Sequence, residues 1–196
     1  NEALGDVRVR QAINYAFDRE GLLQALESGY GTVTGQMFPE SSAAYDPELD
    51  DYYGYDPEKA RELMAEAGYA DGFTLSLPNS AQLGATTYTL HEQALADIGI
   101  TVEYTDPGSN FIADFLAPKF PAGYIPLEQN PDWQLIQFMV SPTAIFNPFG
   151  YQDDQVDAWI EELYRVQGNF PSDADTVVEM LPTNTYPAIY DIYPAN

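Results

Sequence analysis

Apolar residues recur along this chain with two periods. Val9, Ala12, Ile13, Ala16 and Phe17 fall at helical spacing behind Asp6, with Arg8, Gln11 and Asn14 on other faces. That pattern predicts an amphipathic helix capped by Asp6. Asp18 opens a second helix, which carries Leu22, Leu23 and Leu26 and closes at Gly29. From there to Tyr55, Gly, Pro and Tyr are frequent and no period is legible, so the stretch reads as a long surface excursion. Periodicity then returns in its clearest form. Asp56 caps, Pro57 takes the first helical position, Ala60, Leu63, Met64 and Ala67 form one face, and Gly68 supplies the stop.

Asp71-Gly72 makes a turn, after which Phe73, Leu75 and Leu77 alternate with Thr74 and Ser76 in the period of a half-buried strand. Leu90, Ala94, Leu95 and Ile98 give another helical face, ended by Gly99, and residues 100–104 read as the next strand. Alternating helix and strand argues for α/β layers. Beyond Asp106-Pro107-Gly108 the pattern predicts a short helix with Phe111, Ile112, Phe115 and Leu116 on its face, then a strand over 124–127. A loop-like region with Pro126, Pro131, Pro142 and Pro148 follows. Asp153 opens a further helix through Val156, Trp159, Ile160 and Leu163 to Gly168, a shorter helix follows Ser172, and a last strand covers 188–193. No repeat or linker divides the sequence, so one domain is expected over 1–196.

Composition narrows the function classes. A chain of 196 residues with 45% hydrophobic residues can bury one substantial core. Lys and Arg number 7 against 31 Asp and Glu, a net charge of −24 that repels phosphate backbones and anionic lipid. Nucleic acids and membrane surfaces are therefore not expected as partners. The acids are spread along the sequence, which reads as a solvated surface serving solubility or salt adaptation. Cysteine is absent, which excludes disulfides, thiolate metal sites and cysteine nucleophiles. No apolar run approaches the roughly 20 residues that span a bilayer. Asn1 does not begin a signal segment, so a soluble chain is expected, its export signal removed or upstream.

Little in the sequence favours catalysis. His91 is the lone histidine and sits beside Leu90 and Leu95 without a nucleophile pattern, so packing explains it better than catalysis. Asp50-Asp51, Asp153-Asp154 and Glu161-Glu162 are neighbours that point apart, unlike carboxylates facing across a glycosidase cleft. Asp153, Asp154 and Asp157 lack the spacing of a calcium loop, and capping accounts for the first two. No phosphate loop, zinc spacing or nucleotide fingerprint is present, and no cofactor is expected.

Three stretches carry a family resemblance. They are Asp6-Val7-Arg8-Val9-Arg10-Gln11-Ala12-Ile13-Asn14-Tyr15-Ala16-Phe17-Asp18-Arg19, then Tyr55-Asp56-Pro57-Glu58-Lys59-Ala60 through Ala67-Gly68-Tyr69, then Ile98-Gly99-Ile100. Phe149-Gly150-Tyr151 leading into Val156-Asp157-Ala158 is a looser fourth. In this order they resemble the second lobe of the extracellular solute-binding proteins of family 5, the dipeptide- and oligopeptide-binding group, over nearly the whole chain. The resemblance implies an α/β fold, the second lobe of a type II periplasmic-binding protein with helices packed on a mixed β-sheet. It also implies that the first lobe lies outside this chain. The function implied is that of the substrate-binding component of an ABC importer, not an enzyme. Such a protein is a monomer outside the cytoplasm, in the periplasm or as a cell-surface lipoprotein. It closes two lobes over a peptide or similar polar solute and delivers it to ABC permease subunits.

The resemblance also points to ligand-binding residues. Peptide-binding members place an aromatic residue after a glycine and, a few residues on, an Asp-Pro whose carboxylate pairs with the ligand ammonium. Gly123-Tyr124 and Asn130-Pro131 are the matching positions. Asn130 replaces a charge-assisted bond with a neutral one, and Glu128 or Asp132 is placed to restore the charge. Gln129, Asn130, Trp133 and Gln134 suit sugars as well as peptide backbones, so an oligosaccharide remains an alternative ligand. Trp133, with Leu135, Ile136, Phe138 and Met139, fits a core equally well. Between Lys119 and Arg165 there is no cation to clamp a ligand carboxylate. Two further classes stay open: a carboxylate-dependent hydrolase using Glu128 or Asp132, and an interaction module that needs no small ligand.

Overall fold

Asp6 begins the order of the fold by capping α1 (Val7–Ala16): its carboxylate accepts from the Arg8 amide at 2.9 Å. The Arg8 guanidinium bonds to the same carboxylate, and these hydrogen bonds hold its pKa down at about 2. This computed structural model describes residues 1–42, 44–50, 52–80, 83–125, 132–165 and 192–193. Asp18 caps α2 (Arg19–Glu27) through the Gly21 amide, and Ser28 ends it in the left-handed conformation, one residue before the expected glycine. β1 (Thr32–Val33) and α3 (Pro47–Asp50) follow, then α4 (Pro57–Glu66), where Asp56 accepts from the Lys59 amide at 2.8 Å.

α1 and α4 pack together through Val9, Ala12, Ile13 and Ala16 on one side and Ala60, Leu63 and Met64 on the other. Behind them lies a β–α–β unit: β2 (Phe73–Pro78), α5 (Gly84–Ala96) and β3 (Ile100–Thr105). The strands run parallel, from Phe73 opposite Ile100 to Pro78 opposite Thr105. Leu75, Leu77, Ile100 and Val102 are buried while Thr74, Ser76, Thr101 and Glu103 face out in the period-two pattern, which ends at the buried Pro78. Both strands are preceded by glycines with positive φ, Gly72 and Gly99. A Cβ on Gly72 would overlap the Gly99 carbonyl, so the two backbones meet only because no side chain intervenes.

Three sequence expectations change. In α6 (Phe111–Leu116), Phe111 and Phe115 stack one turn apart, while Ile112, expected on the same face, is exposed. Residues 124–125 are irregular rather than extended, 126–127 lie outside the described residues, and Pro126 has no N–H to give a ladder. The region marked as loop-like by its prolines holds a helix: α7 (Asp132–Leu135) runs on into a wider π-type segment over Ile136–Val140. Pro131 stands just before this helix and Pro142 just after it, so they bound it.

The stretch before Tyr55 is likewise more than a surface excursion. Phe38 and Ala44 are buried against Leu135, Ile136, Met139, Val140, Val156 and Ile160, a second apolar cluster that includes α8 (Asp154–Arg165). Asp153 caps α8 through the Gln155 and Val156 amides. β1 pairs antiparallel with β4 (Ile192–Tyr193), so parallel and antiparallel pairings are both present, in two separate pairs. The end of the predicted last helix at Gly168, the helix after Ser172 and most of the last strand lie outside the described residues. Among the described residues no helix is long and apolar enough to cross a membrane.

Candidate functional site

Two groups of polar side chains meet the apolar clusters. The first lies at the carboxyl ends of β2 and β3, where open α/β sheets place ligands. The Asn79 amide continues the ladder to the Thr105 carbonyl at 2.9 Å, and the Ser80 amide donates to the Tyr88 hydroxyl at 2.6 Å. Tyr88 and Tyr104 meet edge to face, and the Tyr104 hydroxyl donates to the Tyr88 carbonyl at 3.2 Å. Gly123 passes so close to Phe115 and Pro78 that a Cβ there would meet both, which brings Tyr124 in over the strand ends.

Tyr124 is 7% exposed and belongs to the first core. Its ring lies against His91 with centroids 3.9 Å apart, and His91 meets Phe17 edge to face on another side. Burial pushes the Tyr124 hydroxyl well above its ordinary pKa and lowers His91 to about 4, so both groups are neutral at physiological pH. The Tyr124 hydroxyl, His91 Nδ1 and Asn79 Oδ1 are buried without a hydrogen-bond partner among the described residues. Neutral, desolvated groups of this kind can hydrogen-bond and pack.

The second group holds Asp132. The Ser42 hydroxyl donates to Asp132 Oδ2 at 2.7 Å and accepts from the Ala44 amide at 2.9 Å. Ser42 sits in a turn whose other end is organised by Asp50. That carboxylate accepts from the Thr34 hydroxyl at 2.7 Å, the Gln36 side chain at 3.1 Å, the Gly35 amide at 3.2 Å and, in a very short contact, the Tyr45 hydroxyl. Burial raises the Asp50 pKa, and the hydrogen bonds from Tyr45, Thr34 and Gln36 more than reverse this, leaving it lowered. Gln36 is itself buried and bridges to the Asp46 carbonyl and amide.

Of the residues singled out from sequence, Tyr124 falls in the first group and Asp132 in the second. Glu128, Gln129 and Asn130 lie outside the described residues, as does the Trp133 side chain. Leu135, Ile136 and Met139 take the core role anticipated for them, and Phe138 packs partly buried against the same cluster. Sequence reasoning missed Asn79, Ser42 and the Asp50 hub. A period-two strand ending at Pro78 gave a signal for Asn79, whereas Ser42 meets a residue 90 positions away with no local pattern to announce it.

Residues 1–153 match the sequence family described as bacterial extracellular solute-binding proteins, family 5 Middle. The chain belongs to this family. Among curated relatives of this family 5 chain, the glutathione-binding protein GsiB of Pectobacterium atrosepticum is 34% identical over 167 residues, covering 76% of this chain and 32% of that protein. The chain thus spans about a third of the length of the curated relatives it matches. In solved structures, the periplasmic binding protein DppA of Helicobacter pylori, in complex with the peptide STSA, aligns with a TM-score of 0.81 at 21% identity. That alignment covers 95% of this chain and 38% of DppA. AgaA of A. tumefacien R10, in complex with agropinic acid, aligns with a TM-score of 0.80 at 22% identity, over 94% of this chain and 40% of AgaA. These alignments establish the α/β, type II periplasmic-binding-protein fold of the family 5 chain.

Proposed function

We propose that the chain is the second lobe of a two-lobed, extracytoplasmic receptor that captures a short peptide and passes it to an ABC permease. The first lobe lies outside this chain. The protein acts by binding alone: the lobes close over the solute, with higher affinity in the closed state and no bond made or broken. One observation carries the reading. The chain belongs to family 5 and its curated relatives are named as glutathione-binding proteins, so a short peptide with a free amine is the ligand class to which the family evidence leads.

Within that reading Asp132 receives the ligand ammonium. It is a half-buried carboxylate with a hydroxyl donor and no cation among the described residues. Tyr124, buried in the first core, and Glu128, Gln129, Asn130 and Trp133 are the further residues assigned to the ligand in this reading. The experiment is a thermal-shift panel of short peptides, glutathione included, and oligosaccharides. A ligand that binds only the folded protein raises its unfolding temperature. Stabilisation by peptides supports the reading, and stabilisation by sugars alone replaces it with the oligosaccharide alternative.

A further inference from the structure

We infer that Ser42 is a positioning residue for Asp132, fixing which carboxylate oxygen the ligand ammonium meets; the assignment rests on the peptide-receptor reading above. A hydroxyl has one proton to donate, and the surroundings of Ser42 decide where it goes. The Ala44 amide donates to Ser42 Oγ at 2.9 Å, so that oxygen already serves as an acceptor, and its proton is directed at Asp132 Oδ2, 2.7 Å away. The turn is itself held in place. The Ser42 amide donates to the Pro39 carbonyl at 2.8 Å, the Tyr45 amide donates to the Ser42 carbonyl at 3.3 Å, and Phe38 and Ala44 on either side are buried in the second core. Asp132 opens the helix whose next turns, Leu135, Ile136 and Met139, line that same core. The hydroxyl and the carboxylate are therefore each fixed by packing, and their contact joins segments 90 residues apart.

Among the described residues this geometry gives Asp132 Oδ1 no donor, and each of the six basic side chains described there is engaged elsewhere. Arg8 pairs with Asp6, Lys59 with Glu62 and Lys119 with Asp114. Arg10, Arg19 and Arg61 donate to backbone carbonyls. A hydroxyl bound to one oxygen stabilises the ionised carboxylate and locks its rotation, so an incoming ammonium finds the other oxygen already oriented. Removing the hydroxyl frees the carboxylate to turn and removes that orientation. The loss falls on ligands that present an ammonium and spares those that do not.

The test is titration calorimetry of the protein with glutathione and with N-acetylglutathione, which lacks the free amine, for wild type, Ser42→Ala and Ser42→Thr. Loss of one positioning hydrogen bond is expected to weaken glutathione about fivefold in Ser42→Ala. N-acetylglutathione should bind wild type and Ser42→Ala alike, and Ser42→Thr should restore most of the glutathione affinity. Should Ser42→Ala fail to fold, judged by circular dichroism, Ser42→Cys keeps the volume with a much weaker donor and is expected to show the same selective loss. Unchanged glutathione affinity in the variant without a hydroxyl, or equal loss of both ligands, overturns the assignment. Wild type that ignores glutathione, or Asp132→Asn that binds it as wild type does, overturns the underlying reading and this assignment with it.

Discussion

The two apolar clusters are built on different logic. Around β2 and β3, burial follows local period: helix faces and alternating strand positions carry the core, and Asp caps and Gly stops fix the ends. Around α7 and α8, part of the packing comes from a stretch without period, the turn region containing Phe38 and Ala44, held by side-chain hydrogen bonds to Asp50. The first region spends its polar groups on backbone ends, and the second spends them on shaping a loop. In the proposed reading Asp132, the residue assigned to the ligand ammonium, belongs to the second region.

Substitutions in the first core should cost most and act globally. Leu75→Ala removes a fully buried strand residue, and a loss of about 2–5 kcal/mol in denaturant unfolding is expected. A loss below about 1 kcal/mol would mean that this region packs no more tightly than the second.

Acid should probe the first region through His91. Its folded pKa is lowered to about 4 by burial, so the unfolded chain takes up the proton first. Stability is then full above the unfolded value near 6.5 and falls as pH drops toward about 4, by at most on the order of 3 kcal/mol. His91→Phe should flatten that part of the pH profile relative to wild type, and an unchanged slope would show that His91 is not desolvated.

In the second region, Asp50→Asn should act locally. It keeps the shape but weakens bonds to a carboxylate, with an expected cost of about 1–3 kcal/mol. Hydrogen exchange should quicken at the Gly35 and Asp46 amides while those of β2 and β3 keep their protection. Uniform loss of protection would erase the contrast between the regions.

The smallest effect expected is that of salt. The net charge is −24, and at the start of α8 Asp157 is raised by burial and by the like charges of Asp154, Asp153 and Glu161. Screening shortens from about 10 Å at 0.1 M salt to about 3 Å at 1 M, so the unfolding temperature should rise by a few degrees across that range. Asp154→Asn with Glu161→Gln should reduce the rise.

The legibility of the sequence follows the same divide. Asp6, Asp18, Asp56 and Asp153 were readable as caps because capping is local, and Leu75 and Leu77 because alternation is. Prolines misled over 126–148, since Pro131 and Pro142 look alike whether they interrupt a helix or bound it. Phe38 could not be assigned to a core because its neighbours arrive from residues 135–160, and Ser42 could not be tied to Asp132 for the same reason. Asp132 was legible as one of two carboxylates near Asn130, but its oriented state was not, because the hydroxyl that orients it is distant in sequence.

The central claim is that Asp132 receives the ammonium of a peptide ligand. Titration of wild type and Asp132→Asn with glutathione tests it most directly, after matched unfolding temperatures show that both are folded. The account predicts binding by wild type and a loss of about tenfold to a hundredfold in the variant, the size of one charge-assisted hydrogen bond. Equal affinity in the two proteins would contradict it.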